Sequence, residues 1–247
     1  MRIPRIYQTQ PLAADSLIML SDDAVQHVAR VLRMQPGQQL ELFNGDGHFY
    51  SAEIVSADKR QVQVQVQQAR AVNNESPLAI HLGQGISRGD RMDFVLQKSV
   101  ELGVASITPL FTERCGVKLS GDRLEKKQQQ WQKIVIAACE QSGRAVVPEV
   151  HPAVSINQWF EQASAAVRLT LDPYAPKALR ELPLEAGAER TNIQLLIGPE
   201  GGLTDAEVEQ AKHSGFLPVR LGPRVLRTET AALTALSILQ YEFGDLA

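Results

Sequence analysis

Cysteine is scarce in this sequence. Of 247 residues only two are cysteines, Cys115 and Cys139. Two cysteines cannot form a disulfide framework, and their spacing is not that of a CxxC metal motif. The five histidines are scattered, and none has a histidine or cysteine four residues away. The sequence therefore predicts no metal site.

Long apolar runs and an excess of basic residues are also missing. No stretch approaches the length that crosses a bilayer, and the opening MRIPRIYQTQPL does not have the pattern of a signal peptide. Together with the few cysteines, this predicts a cytoplasmic protein that does not enter a membrane. The formal net charge of −3 gives no simple argument for nucleic-acid binding, although it does not exclude a local basic face.

What the sequence does contain is two halves with different hydrophobic periods. Residues 1–72 are mostly β-structure. The stretch QVQVQVQ at 61–67 alternates strictly, so its valines should face a core, and NGDG at 44–47 is a hairpin turn between two apolar segments. This pattern predicts a small β-barrel as the first domain.

One short helix should interrupt these strands. Ser21 is placed to be its N-cap, and two aspartates follow in the first turn. Helical spacing then predicts a single buried stripe. That stripe would consist of Val25, Val28, Ala29 and Leu32.

The second half, 73–247, alternates short apolar strands with helices, after a polar, proline-containing linker at 71–78. Such alternation predicts a parallel sheet covered by helices on both faces. In sheets of this kind, ligands bind at loops that leave the carboxyl ends of the strands. The sequence thus predicts an α/β domain with a site at those loops.

The segment LLIGPEGGLTDAEV, 195–208, has the layout of such a loop. A strand runs into a glycine-rich turn, and a capping box from Thr204 to Glu207 starts the next helix. The loop has neither the GxGxxG fingerprint nor a Walker lysine, and Glu200 would repel phosphate. It suits a ligand with hydroxyls, an amine or a positive charge, although a purely structural turn is an equal alternative.

The next strand, in VRLGPRVLRTETAALTALSILQ at 219–240, repeats this arrangement. A strand leads into Gly222 and then into a buried helix, which Thr228 or Thr230 could cap. Arginines cluster near the strand end. Each could be a solvated surface charge, but three together favour binding of an anion or RNA. They are Arg220, Arg224 and Arg227. A third loop of the same type follows the strand in LTLDPYAPK at 169–177, so three loops could line one pocket.

The two C-terminal motifs together closely resemble the SPOUT superfamily of knotted methyltransferases, and specifically its RsmE family. Other matching stretches are MRIPRIY, HVARVLRMQPG, SRGDRMDFVLQKSVELGVASITPLFTERC and AACEQSGR, so the resemblance covers essentially the whole chain. It implies a PUA-like RNA-binding β-barrel at 1–72 and a SPOUT domain at 73–247, with a deep trefoil knot within about 166–247. It also implies a homodimer that uses S-adenosylmethionine to methylate N3 of one uridine in small-subunit (16S) ribosomal RNA, on free RNA or on the 30S particle.

The resemblance assigns the donor site to the three loops. Backbone groups would bind the adenine and ribose, leucines would pack on the ring, and Glu200 would accept from a ribose hydroxyl or favour the cationic end of the donor. An ion pair between Glu200 and a nearby arginine is an equal alternative. The implied residues are Leu171, Leu196, Ile197, Gly198, Pro199, Glu200, Gly202, Leu221, Gly222, Val225 and Leu226.

Methylation of a uracil imide requires loss of the N3 proton and stabilisation of the negative charge that develops. Arg227 is the candidate for the charge, and Glu229 is a candidate base, although an ion pair with one of the clustered arginines suits Glu229 better and water could remove the proton. A cationic surface is needed for the RNA phosphates. Its candidate residues are Arg30, Arg33, Arg88, Arg114, Lys118 and Arg144.

Two other functions are compatible with the sequence. The chain has no unmistakable acid–base pair, so it could be an RNA adaptor that binds without catalysing. It could also be a methyltransferase of the same superfamily that acts on a ribose hydroxyl or a guanine nitrogen. Donor binding would separate the first alternative from an enzyme.

Overall fold

The computed structural model describes residues 3–162, 164–165, 167–182 and 191–246. The chain divides into two compact units. Unit 1 is Met1–Glu75 together with Ile136–Val147, and unit 2 is Ser76–Val135 together with Pro148–Ala247. In the described parts of the chain, no helix is long and apolar enough to span a membrane.

Unit 1 contains a five-stranded sheet. The strands are β1 (Arg5–Tyr7), β2 (Leu17–Met19), β3 (Gln39–Phe43), β4 (His48–Ala57) and β5 (Val62–Ala71), in the spatial order β1-β3-β4-β5-β2. The predicted turn at 44–47 joins β3 to β4, and the alternating valines Val62, Val64 and Val66 are completely buried, as predicted. The three-residue strands β1 and β2 form the two edges of this sheet.

The predicted helix of unit 1 exists, but its buried stripe is shorter than expected. It consists of α1 (Asp22–Val25) and a π-helical turn at Gln26–Val31. Leu32 N–H donates to the carbonyl of His27, five residues back, and Leu32 is 39% exposed. The wider turn rotates Leu32 out of the stripe, so its predicted burial was wrong. Ser21 is at the N-cap but makes no side-chain capping bond.

Unit 2 follows the predicted alternation of strands and helices. Its elements are β6 (Leu78–Gly85), α2 (Asp90–Glu101), β7 (Ser106–Phe111), α3 (Gly121–Ser142, whose last residues belong to unit 1), β8 (Glu149–Val150), β9 (Val154–Ser155), α4 (Ile156–Glu161), β10 (Val167–Leu171), a 3₁₀ turn (Leu179–Glu181), β11 (Thr191–Ile197), α5 (Asp205–His213), β12 (Leu217–Val219) and α6 (Thr228–Phe243).

The strands of unit 2 form one parallel sheet, as predicted. Their order is β12-β10-β11-β6-β7-β8, and β9 also pairs with β7. The three strands β10, β11 and β12 are therefore neighbours. Because parallel strands end at the same edge of a sheet, the loops that follow these three strands lie side by side.

Candidate functional site

A cavity of about 860 Å³ opens where the loops after β10, β11 and β12 meet the start of α6. All but one of the residues that the sequence assigned to the donor site or to catalysis line it. These are Leu171, Ile197, Gly198, Pro199, Glu200, Gly202, Leu221, Gly222, Val225, Leu226, Arg227 and Glu229.

Leu196 is the exception, because it does not line the cavity. It is completely buried in an apolar cluster that includes Trp159, Phe160 and Phe216. Successive side chains of a strand point to opposite faces, so Leu196 faces the helices that cover the sheet. Its place is in the core rather than against a ligand.

The glycine-rich loop after β11 is a tight turn that rests on β6. The N–H of Gly202 donates to the carbonyl of Pro199 at 2.9 Å, and Gly202 has a φ of +69°, which favours glycine. A Cβ at Gly85 of β6 would lie 2.5 Å from Pro199 N, so only glycine lets the two backbones approach this closely. The predicted capping box from Thr204 to Glu207 is present and starts α5.

The loop is also tied to the start of α6. Thr228 Oγ1 donates to the carbonyl of Gly198 at 2.6 Å and accepts from Gln84 Nε2 at 2.9 Å. The expectation that Thr228 or Thr230 caps α6 was wrong, because Arg227 is at the N-cap and makes no side-chain capping bond. The Thr228 hydroxyl serves a longer-range contact instead.

Glu200 is held by partners from α2 and from the turn before it. Its Oε1 accepts from the N–H of Arg88 at 2.8 Å and lies 3.1 Å from Arg91 Nη1. Burial acts to raise the pKa of Glu200, but backbone N–H groups and the Arg91 guanidinium outweigh it and lower the pKa. The ionised carboxylate therefore braces the loop through Arg91, which is the ion-pair alternative that the sequence left open.

Glu229 shares the same guanidinium. Its Oε1 lies 4.0 Å from Arg91 Nε, and its side chain is 17% exposed. The expected ion pair with a clustered arginine was wrong, because the cation near Glu229 comes from α2. Its other oxygen, Oε2, is buried and has no hydrogen-bond partner among the described residues. The carboxylate thus retains one free acceptor.

The clustered arginines have different surroundings. Arg220 makes hydrogen bonds within the protein. Its Nη1 donates to the carbonyls of Ala175 and Pro176 and so stabilises the loop after β10. Arg224 and Arg227 are exposed and line the cavity. Two of the three clustered arginines are therefore available to an anion or to RNA.

Two of the candidate RNA contacts lie next to the cavity loop. Arg114 lines the cavity, and its Nη1 donates to the carbonyls of Gly201 and Leu203 at 3.2 Å. The Arg88 guanidinium packs against Gly116, where a Cβ would lie 2.3 Å from Arg88 Nη2. Both side chains support backbone near the site, and both residues are exposed.

The other candidates divide into exposed and buried residues. Lys118 of unit 2 is exposed, as are Arg30 and Arg33 of unit 1. Arg144 is only 5% exposed, and its Nε and Nη2 donate to the two carboxylate oxygens of Glu75. The expected contact of Arg144 with phosphate is therefore corrected: its guanidinium stabilises unit 1 from within.

Three residues near the site were not identified from the sequence. Arg91 follows Arg88 in the quoted SRGDR stretch, but nothing local marks it as the partner of two distant carboxylates. Gln84 could have been identified, because a glutamine inside an apolar parallel strand needs buried hydrogen-bond partners, and its Nε2 donates to Gly85 and Thr228. Tyr174 lines the cavity and is 88% exposed. An exposed aromatic side chain in a short loop has no distinctive pattern.

Comparison with known protein families divides the chain in a corresponding way. Residues 74–240 match the model of an RNA methyltransferase domain. Residues 20–67 match the model of an RNA methyltransferase PUA domain. The N-terminal match supports the prediction of a PUA-like domain, and the C-terminal match covers the whole parallel sheet and its loops.

Individual relatives are similar over the full chain. The Ribosomal RNA small subunit methyltransferase E of Buchnera aphidicola subsp. Schizaphis graminum is 40% identical over 248 residues, which cover 100% of this chain and 99% of that protein. A solved structure of the corresponding enzyme of Neisseria gonorrhoeae, bound to S-adenosyl methionine, is 39% identical with a TM-score of 0.91, and the match covers 100% of both chains.

A Legionella pneumophila structure described as a methyltransferase with the bound cofactor SAM is 49% identical, with a TM-score of 0.95 and coverage of 100% of both chains. The matches in sequence and in structure thus agree from one end of the chain to the other. The chain belongs to the Ribosomal RNA small subunit methyltransferase E family of RNA methyltransferases.

Proposed function

We propose that this protein transfers a methyl group from S-adenosylmethionine to N3 of a uridine in small-subunit ribosomal RNA. The observation that carries the proposal is the cavity itself: three loops at one edge of a parallel sheet enclose it in a chain of this family. A substrate of this kind also supports a cytoplasmic location.

The residues of the cavity fit the methyl donor. A volume of about 860 Å³ is within the usual range for a small-molecule site. Leu171, Leu221 and Leu226 offer apolar surface to an adenine ring, and the glycines allow close approach of a ligand. When bound, S-adenosylmethionine supplies a methyl group whose bond to sulfur breaks as the bond to uracil N3 forms.

The polar contacts to the donor come from a smaller set of backbone groups than the sequence implied. The N–H of Gly202 donates to Pro199, and the carbonyl of Gly198 accepts from Thr228. Within the described chain, the backbone of Leu221, Val225 and Leu226 forms no hydrogen bond with other loops. We assign recognition of the adenine and ribose mainly to these three residues.

Proton removal from the uracil falls to Glu229 in this proposal. Glu229 lines the cavity and its side chain is 17% exposed, so its carboxylate can accept the N3 proton beside the Arg91 guanidinium. The exposed Arg227 stabilises the negative charge that develops on the uracil oxygens. Glu229 and Arg227 lie on either side of Thr228, at the N-terminal end of α6.

The proposed fold adds a knot within about 166–247 to the observed parallel sheet. Arg220 N–H donates to the carbonyl of Lys177, and Leu179 N–H donates to that of Arg220, so the segment after β10 lies against the end of β12. The chain then enters α6, which packs against the 3₁₀ turn at Leu179–Glu181. Passage of the last segment beside this earlier loop supports a threaded chain, although knots are rare.

In unit 1 we propose that the five-stranded sheet is a PUA-like barrel, with the domain boundary near 72.

RNA binding and dimerisation complete the proposal. The proposed phosphate contacts are the exposed cations Arg30, Arg33, Arg88, Arg114 and Lys118.

A homodimer is supported by Phe94 on α2 and Tyr241 on α6, which are 46% and 62% exposed on two helices that pack together. Light scattering should give the mass of two chains.

Mass spectrometry of small-subunit RNA tests the function. RNA from a strain that lacks the protein should contain unmodified uridine where the wild-type RNA contains 3-methyluridine, and the purified protein with donor should restore the modification. Calorimetry with S-adenosylmethionine adds a second measurement, because an RNA adaptor without catalysis need not bind the donor. Retention of 3-methyluridine in the deletion strain would exclude the proposed reaction.

A further inference from the structure

The hydroxyl of Thr228 joins three separate parts of unit 2. It accepts from Gln84 Nε2 on β6 and donates to the carbonyl of Gly198 after β11, while Thr228 itself is the first residue of α6. The direction of both bonds is determined. Gln84 Nε2 also donates to the carbonyl of Gly85, so the amide nitrogen faces Thr228, and the hydroxyl has its one hydrogen left for Gly198.

These bonds lie in a part of the protein that water does not reach. Gln84 is completely buried, and Thr228 is 6% exposed. A buried hydrogen bond excludes competing water and has a defined geometry, so it restricts motion more than an exposed one. The pair of bonds therefore sets the separation between the donor loop and the first turn of α6.

That turn carries the two candidate catalytic residues and has no other local anchor from a capping side chain. Arg227 is at the N-cap without a side-chain bond, and Glu229 follows Thr228 directly. Arg91 contacts Glu200 and Glu229 from outside, through an ion pair in which its side chain is 46% exposed. A half-exposed ion pair holds two groups less tightly than a buried hydrogen bond does.

We propose that Thr228 is a positioning residue: its hydroxyl aligns Arg227 and Glu229 with a methyl donor held at the Gly198 loop. This inference rests on the proposed function. Methyl transfer is an in-line displacement, so a small misplacement of the reacting groups reduces the rate strongly. Binding of the donor depends on loops that keep their own turns, such as the bond from Gly202 to Pro199. Loss of the hydroxyl should thus affect kcat far more than donor affinity.

Thr228→Val and Thr228→Ser distinguish the effect of the hydroxyl on kcat from the effect of the side-chain volume. Valine keeps the volume and removes both hydrogen bonds, and serine keeps the hydroxyl. We expect Thr228→Val to lower kcat by about tenfold to a hundredfold. We expect its dissociation constant for S-adenosylmethionine, measured by calorimetry, to stay within about threefold of wild type, and Thr228→Ser to recover most of kcat.

The matched control is Thr112→Val. Thr112 is 8% exposed, and its Oγ1 has no hydrogen-bond partner among the described residues. The same substitution there removes a buried hydroxyl without breaking a hydrogen bond between described residues. We expect wild-type kcat and donor affinity for it. If Thr228→Val does not fold, Gln84→Met removes the donor to the same hydroxyl, and a loss of kcat with retained donor affinity is again expected.

The inference is wrong if Thr228→Val has wild-type kcat, if Thr228→Ser is as impaired as Thr228→Val, or if kcat and donor affinity fall together. A failure of the proposed function looks different, because the wild-type protein would then methylate neither ribosomal RNA nor small-subunit particles.

Discussion

Arg91 Nη1 lies 3.1 Å from Glu200 Oε1. The same guanidinium has its Nε 4.0 Å from Glu229 Oε1, so one cation on α2 joins an acid of the glycine-rich loop to an acid of α6. The two acids belong to the two sequence motifs that line the cavity. Arg91 therefore links these motifs on the exposed side, and the Thr228 hydroxyl links them on the buried side.

Substitution of Arg91 should reduce activity with little effect on stability. Its side chain is 46% exposed, so Arg91→Gln should change the free energy of unfolding by less than about 1 kcal/mol. Release of both carboxylates should lower kcat/KM by about tenfold or more. Arg91→Lys keeps the charge but not the fork of donors, and an intermediate rate is expected. Equal rates for Arg91→Gln and wild type in a methyl-transfer assay would contradict this role.

Gly198→Val should prevent donor binding through the loop itself. A Cβ at this position would lie 3.1 Å from Gly202 C and from Leu203 N, and 3.2 Å from Leu203 Cγ. The turn must open to admit the larger side chain, and we expect donor affinity to fall by about tenfold or more. Gly198→Ala should give a smaller loss in the same direction. Calorimetry measures both variants, and thermal unfolding verifies that each is folded; normal donor affinity in Gly198→Val would remove the loop from the site.

Glu229→Gln tests proton removal. The amide keeps the size of the side chain but cannot take a proton, so the rate of methyl transfer should fall by about a hundredfold to ten-thousandfold while donor affinity is unchanged. Glu209→Gln is the matched control, because Glu209 also lines the cavity but pairs with Lys212 at the surface. A near-normal rate for Glu229→Gln would exclude Glu229 as the base.

Arg227 and Arg224 allow a parallel comparison of the cations. Both are exposed and line the cavity, but only Arg227 is next to the first turn of α6. We expect Arg227→Gln to lower kcat by about a hundredfold or more, since it removes the charge that stabilises the developing anion. Arg224→Gln should mainly raise KM for RNA. Equal kcat values for the two variants in single-turnover assays would argue against a specific role of Arg227.

Local patterns predicted the elements of this protein well, because they depend on neighbours in sequence. The alternating valines of β5 are buried and the capping box at Thr204 is present, since each needs only residues within a few positions. The common pocket was predictable too, since parallel strands end at one edge of the sheet. Leu32 was misplaced because a π-helical turn changes the helical period, and the spacing of the apolar residues does not reveal such a turn.

Partners far apart in sequence were not predictable. Glu200 and Arg91 are separated by 109 residues, and the Gln84–Thr228 bond spans 144. Similarly, nothing near Arg144 in the sequence distinguishes a buried arginine from one that contacts phosphate, because its partner Glu75 is 69 residues away. Such pairs depend on which strands become neighbours, and that order is a property of the whole fold.

His81 predicts how the stability of the protein depends on pH. It lies on β6, its Nε2 is 2.7 Å from Thr108 Oγ1, and its ring is 5.1 Å from that of His151. Burial, and to a smaller degree the charge of His151, lowers the pKa of His81 from 6.5 to about 4. The unfolded chain therefore binds a proton on His81 between these two pH values, whereas the folded chain does not.

The free energy of unfolding is consequently highest above pH 6.5, where His81 is neutral in both states, and it decreases as the pH falls towards 4. The loss should reach up to about 3 kcal/mol in the free energy of unfolding. Urea unfolding at pH 7.5 and pH 4.5 measures it. His81→Gln cannot bind this proton and should show a smaller difference between the two pH values than wild type, whereas the control His48→Gln, whose side chain is 44% exposed, should show a difference closer to that of wild type. The same pH dependence in all three proteins would mean that other groups cause the acid destabilisation.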